Sequence, residues 1–207
     1  MIARVLTLRC RPENVEALAR ICREEYVGVF ERMEGFRGGS WLADAASGKV
    51  MQITCWASEA AIQGMIDSLA RQALERRVMP LMDPSVAPTF ENFAVAAQTQ
   101  ARGADAHIAR VHTVRVRPGA LDALVLLTRE SYAPVFDRMA GYCGGMWGVN
   151  PATNGAFQVT LWDSEAAIRG MIDDETRATL DRQVYPLLDA EPEAAFENFA
   201  VMAWARN

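Results

Sequence analysis

The chain has 207 residues, 51% of them hydrophobic and 23% charged, with a formal net charge of −5. That balance excludes a disordered or fibrous protein, and the acidic excess argues against nucleic acid or an anionic membrane as a partner. No run approaches the ~18 consecutive apolar residues of a membrane span, and the amino terminus enters a strand pattern directly, so a cytoplasmic protein without a signal peptide is expected.

In chain order, the first strand is predicted over about residues 3–11, ending at Pro12. A helix follows over about 13–34, with Val15, Leu18, Cys22, Val29 and Met33 at helical spacing. Gly35 stands where a C-cap belongs. A glycine-containing strand passes through Gly38, Gly39 and Trp41, turns near Ser47 and Gly48, and leads into a third strand over 50–56. Ser58 is an N-cap candidate with Glu59 in the first turn. The helical stretch it opens runs to Val78, with a break expected near Ser68, and the last strand covers 90–96.

The series then returns. With Ile2 set against Ile108, residues 108–203 align with 2–97 without a gap, and about half the positions are identical. Residues 58–62 recur as 164–168 and residues 90–95 as 196–201. The small, polar stretch 98–106 reads as a connector, giving repeat 1 over 1–97 and repeat 2 over 107–207. Each repeat has the order β-α-β-β-α-β, the ferredoxin-like plan of an α+β fold. A unit of this size is marginal alone and leaves one sheet face uncovered. The two ferredoxin-like repeats are therefore expected to pack sheet to sheet as an intramolecular α+β barrel, a pseudo-dimer within one chain that a further homodimer would extend.

Strand alternation divides the exchanged positions from the retained ones. Leu6, Leu8 and Cys10 become His112, Val114 and Val116, while Met51, Ile53 and Cys55 become Phe157, Val159 and Leu161. Val5, Thr7, Arg9, Gln52, Thr54 and Trp56 keep their identity as Val111, Thr113, Arg115, Gln158, Thr160 and Trp162. Asn92 and Asn198 are candidates to join them. The retained set is expected on one interior face, and two readings compete for it. Either these residues knit the two sheets together, or the polar members and tryptophans line a cavity for a small-molecule ligand.

Other chemistry is sparse. The four cysteines show no CxxC spacing, and Cys10, Cys22 and Cys55 exchange with Val116, Thr128 and Leu161, which reads as packing. His107 and His112, the two histidines, and Tyr26 and Tyr132 are expected to be structural. No metal set, phosphate-binding loop, catalytic triad or dinucleotide fingerprint is present.

The stretch Gly35-Phe36-Arg37-Gly38-Gly39, followed by Ser47-Gly48 and by residues 54–60 around Trp56, resembles the antibiotic biosynthesis monooxygenase (ABM) family of the dimeric α+β barrel superfamily. Repeat 2 carries the same pattern from Gly141 to Gly145 and around Trp162. The resemblance implies a small-molecule-binding barrel and, as an activity, cofactor-independent monooxygenation of an aromatic or enolisable substrate. Arg9, Arg115, Trp56, Trp162, Gln52 and Asn92 would then be the donors for a substrate anion. The alternative is a non-catalytic binding or assembly module with a filled barrel. Some members of the family degrade haem, but the positions matching their tryptophan and histidine are Met65 and Glu75, and Met171 and Asp181, which argues against that activity here.

Overall fold

The computed structural model describes residues 1–99, 106–189 and 196–205; most of the expected connector lies outside them. Repeat 1 runs β1 (Ile2–Arg9), α1 (Val15–Ile21), a π-helical segment (Cys22–Tyr26), α2 (Val27–Glu31), β2 (Phe36–Ala43), β3 (Lys49–Trp56), α3 (Glu59–Asp67), α4 (Leu69–Val78) and β4 (Thr89–Thr99). Repeat 2 follows with β5 (Ile108–Arg115), α5 (Leu121–Leu127), a π-helical segment (Thr128–Tyr132), α6 (Ala133–Phe136), β6 (Tyr142–Asn150), β7 (Gly155–Trp162), α7 (Glu165–Ile172), α8 (Glu175–Val184) and β8 (Phe196–Ala205). Both are α+β units of the ferredoxin-like plan. Their strands are hydrogen-bonded in the closed order β1-β3-β2-β8-β5-β7-β6-β4, an eight-stranded barrel.

Local chemistry accounts for the helix boundaries. Ser58 and Ser164 accept the backbone N–H of Ala61 and Ala167, each at 3.2 Å. The expected break falls at Ser68, which is extended and caps α4 by accepting from Arg71 N; Asp174 does the same for α8 through Arg177 N at 2.7 Å. Gly35 has φ +78, and a Cβ there would lie 2.6 Å from Ala61 Cβ, so the turn into β2 requires glycine. The helix expected over 13–34 is helical without a gap from 12 to 31, but not α-helical throughout. Both repeats insert a π-helical segment at the same place, ending on the buried Tyr26 and Tyr132. Such bulges change which residues face the core from that point on.

Two compact units divide the chain: Met1–Asn92 with the end of the chain from Ala200, and Phe93–Phe199. Their boundaries fall inside β4 and β8, away from the connector read over 98–106. In the first unit β2 pairs with β8, Trp41 opposite Ala203 and Leu42 opposite Val201. In the second, β6 pairs with β4, Gly148 opposite Val95 and Trp147 opposite Ala97. The last strand of each repeat thus begins beside its own first strand, where Arg4 donates to Asn92 Oδ1 at 3.2 Å, and finishes on the sheet of the other repeat.

Strand register corrects the expected faces. In the first unit Ile2 lies opposite Trp56, Arg4 opposite Thr54, Leu6 opposite Gln52 and Leu8 opposite Val50. Directly opposed residues of an antiparallel pair point to the same side. This face, with Trp41 and Ala43 of β2, packs on Leu18, Phe30 and Ile62 of the helices. The face turned away from the helices carries Ala3, Val5, Met51 and Ile53, all buried, together with Thr7 and Arg9. Thr7 and Arg9 therefore do not share a face with Gln52, Thr54 and Trp56, nor do Thr113 and Arg115 with Gln158, Thr160 and Trp162. Identity between the repeats groups residues without regard to register, and register is what sets the faces.

Candidate functional site

In the second unit a cavity of about 50 Å³ lies between the sheet and the helices. Its polar lining is His112, Thr128, Tyr132, Trp147, Gln158 and Tyr185. His112 of β5 lies opposite Gln158 of β7, which lies opposite Trp147 of β6. Three neighbouring strands thus set an imidazole, an amide and an indole in one row on the helix side. The π-helical segment contributes its first and last residues, Thr128 and Tyr132, and the turn after α8 contributes Tyr185. The rest of the wall is mostly apolar, with Leu124, Val149, Ala156 and Leu188.

The polar groups are unequally satisfied. Tyr132 Oη donates to Asp181 Oδ1 at 2.6 Å and Tyr185 Oη to Asp181 Oδ2 at 3.2 Å. Arg177 forms an ion pair with the same carboxylate, and its remaining N–H groups donate to Met171 O at 2.8 Å and Ile172 O at 2.9 Å. Burial, and then the charge and hydrogen bond of Asp181, hold the Tyr132 phenol well above its ordinary value; the Tyr185 phenol is raised for the same reasons. Both tyrosines keep their protons at neutral pH and spend them on Asp181, leaving their oxygens as acceptors. The Trp147 indole is 5% exposed, and its buried N–H has no partner among the described residues. The His112 ring stacks on Phe196 at 3.9 Å and 14°. The Arg110 guanidinium lies 4.3 Å from the centre of the Phe196 ring.

Of the twelve residues the sequence put forward, Gln158 lines this cavity. Gln52 holds the equivalent register position in the first unit. Trp56 and Trp162 are fully buried, and each indole N–H donates to the hydroxyl two residues earlier, Thr54 at 3.0 Å and Thr160 at 2.9 Å. These four form closed pairs inside aromatic cores with Phe36 and Tyr142. Asn92 and Asn198 are exposed and accept from Arg4 and Arg110. Arg9 and Arg115 are exposed at strand ends, where Arg115 donates to Thr153 O at 2.8 Å; Thr113 is exposed and Thr7 half-buried. The twelve are not brought together.

Sequence reasoning gave His112 and Tyr132 structural roles, met Thr128 and Asp181 only as exchanged positions, and passed over Trp147 and Tyr185. One signal was available. At Leu6/His112, Cys22/Thr128 and Met79/Tyr185 the second repeat is polar where the first is apolar or carries a thiol. Among the described residues no group of three or more His, Cys, Asp or Glu could hold a metal, and no helix is long and apolar enough to cross a membrane.

Residues 1–77 match the antibiotic biosynthesis monooxygenase family. No curated protein matches the chain by sequence. Among solved structures it resembles a proposed monooxygenase from Lactobacillus acidophilus NCFM, with a TM-score of 0.79 at 11% identity over 99% of this chain and 95% of that one. A second proposed monooxygenase, from Fusobacterium nucleatum subsp. nucleatum, gives 0.79 at 10% identity over 100% and 94%. An anthrone oxidase-like protein gives 0.66 at 14% identity over 99% and 92%. At such identities the likeness carries the fold alone. Residues 1–77 carry that family's sequence pattern and repeat 2 reproduces the elements of repeat 1, so the chain is a fused tandem of two α+β units, the first of them similar to that family.

Proposed function

We propose that this protein is a cofactor-independent monooxygenase that acts on a small aromatic or enolisable substrate in the cavity of the second unit. The row of His112, Gln158 and Trp147 facing a partly open, mostly apolar space carries this reading. It aligns a base, an amide and an unspent N–H donor. In an anthrone-like substrate, His112 takes a proton from the activated carbon, and the Trp147 N–H with the Gln158 amide stabilises the enolate oxygen. The enolate supplies the electrons that reduce dioxygen. One oxygen atom remains on the carbon as a new carbonyl, and the other leaves as water with the two hydrogens of the methylene group. The names of the structural neighbours support the same reaction class.

The cavity also constrains the mechanism. An apolar protein cavity that holds benzene measures ~150 Å³, against about 50 Å³ here. This space is sized for dioxygen or a few waters, and a ring fits only if wall side chains move. That small volume favours a second reading, a non-catalytic binding module. Oxygen uptake with anthrone separates the two. The oxygenase reading expects one dioxygen consumed per anthraquinone formed, and a loss of roughly 10²–10⁴ in rate on His112→Leu, which installs the residue of repeat 1. Uptake no faster than without protein, or an unaffected variant, would sink it.

A further inference from the structure

The two units share one sequence pattern, yet their helix-side cores are organised differently. In the first, Leu18, Tyr26, Trp41, Ala43, Val50 and Met82 belong to one continuous buried cluster. The same positions in the second unit fall into two separate clusters. Tyr132 and Trp147 sit in one, and Leu124, Val149, Ala156 and Leu188 in the other. The cavity lies where these six meet. The positions that form one continuous cluster in the first unit thus border a cavity in the second.

The chemistry of the wall changes at the same place. Leu6 becomes His112, Cys22 becomes Thr128 and Met79 becomes Tyr185. Each exchange adds a hydrogen-bonding group to the cavity lining, and Tyr185 adds a second phenol to the buried carboxylate of Asp181. In the first unit the matching acid, Glu75, is paired with Arg71 and its side chain is 40% exposed, so no buried carboxylate is presented there. Opening of the core and acquisition of polar groups thus coincide in one repeat.

We infer that the chain carries a single ligand site, in the second unit, with His112, Thr128 and Tyr185 as its specificity-determining residues and the first unit as its filled structural counterpart. The ligand is a compact, largely apolar molecule with an oxygen that accepts from Trp147 and a hydroxyl that donates to a tyrosine oxygen, which describes a phenol or an enolised ketone. This rests on the cavity being the working site, as proposed above, but not on the reaction assigned to it.

The test uses the full chain and 1-naphthol as the probe, titrated by calorimetry, with xenon-pressurised crystals as a readout independent of ligand choice. One equivalent of 1-naphthol per chain is expected, with xenon in the cavity of the second unit and none at Leu6, Cys22 and Trp41. The triple variant His112→Leu, Thr128→Cys, Tyr185→Met, which installs the residues of repeat 1, should bind at least tenfold more weakly. Cys22→Thr with Met79→Tyr should leave affinity unchanged within twofold. Should the triple variant unfold, His112→Leu alone decides, with a fivefold loss or more expected. Two equivalents per chain, xenon in both units or in neither, or equal sensitivity of the two repeats would overturn the single site. One equivalent bound without oxygen uptake would leave this inference standing and remove the oxygenase reading.

Discussion

Tyr132 gives its one proton to Asp181 across 2.6 Å, and the acid that receives it is 4% exposed. Its counterpart in the first repeat, Glu75, is part-exposed and paired with Arg71. Tyr132→Phe should therefore destabilise the protein by about 1–3 kcal/mol, the range for leaving a buried acceptor short of a donor. Tyr26→Phe should cost less than ~1 kcal/mol, because the acid at the matching position, Glu75, is part-exposed and paired with Arg71. Urea unfolding of the two variants measures the difference, and equal losses would show that the Asp181 network is no more than packing.

Alkali should unfold this protein progressively. Burial pushes the Cys22 thiol up to about 12 and the Cys55 thiol up to about 11, and it raises the Tyr26, Tyr132 and Tyr142 phenols. Each group is protonated in the native state. Above the unfolded values, ~8.5 for a thiol and ~10 for a phenol, the unfolded chain releases protons that the native chain retains, so stability falls as pH rises. For the thiols the loss continues until their folded-state values near 11 and 12. Urea midpoints should hold between pH 7 and 8 and decline above about pH 9; a midpoint unchanged at pH 10.5 would contradict these burial effects.

Gly148 and Phe157 form a size-matched pair. They are opposed on β6 and β7, and a Cβ on Gly148 would lie 2.4 Å from Phe157 Cε1 and 2.9 Å from Phe93 Cβ. Repeat 1 solves the same position with Leu42 opposite Met51. Gly148→Leu should cost about 3 kcal/mol through overpacking. Adding Phe157→Met should recover about 1 kcal/mol or more, a coupling expected of residues in contact. Strict additivity of the two changes would show that their sizes are not matched.

Haem should not bind tightly. The two acids at the positions of the haem-ligating histidine are already engaged, Glu75 by Arg71 and Asp181 by Arg177, Tyr132 and Tyr185. Met65 and Met171 are buried in the cores. A haem titration should show no Soret band that saturates at one or two equivalents, and such a band would reverse this prediction.

What the sequence made legible was local or repeated. The Ser58 cap, the break at Ser68 and the glycine at position 35 are each decided by a few neighbouring residues, and the tandem order followed from the gapless repeat. Strand faces were not legible, because whether Thr7 sits beside Gln52 or behind it depends on a pairing some 45 residues away in the chain. The π-helical segments were not legible either, because no propensity announces them. Retained identity drew attention to Trp56 and Trp162, whose N–H groups are closed off by Thr54 and Thr160. The open cavity instead lies where the repeats differ.

The crossing of the last strands sets an order of assembly. β2 has its partner in residues 200–205, far later in the chain, whereas β6 finds its partner β4 already synthesised. On the ribosome the first half to emerge is thus the last to be completed, and β2 waits with an unpaired edge while more than a hundred residues are added. Exposed edges invite pairing with other chains, and contacts so distant in sequence form slowly. The two sheets can be equal in the finished molecule and still differ in risk: the half with the one continuous core cluster is the half that must stand unfinished.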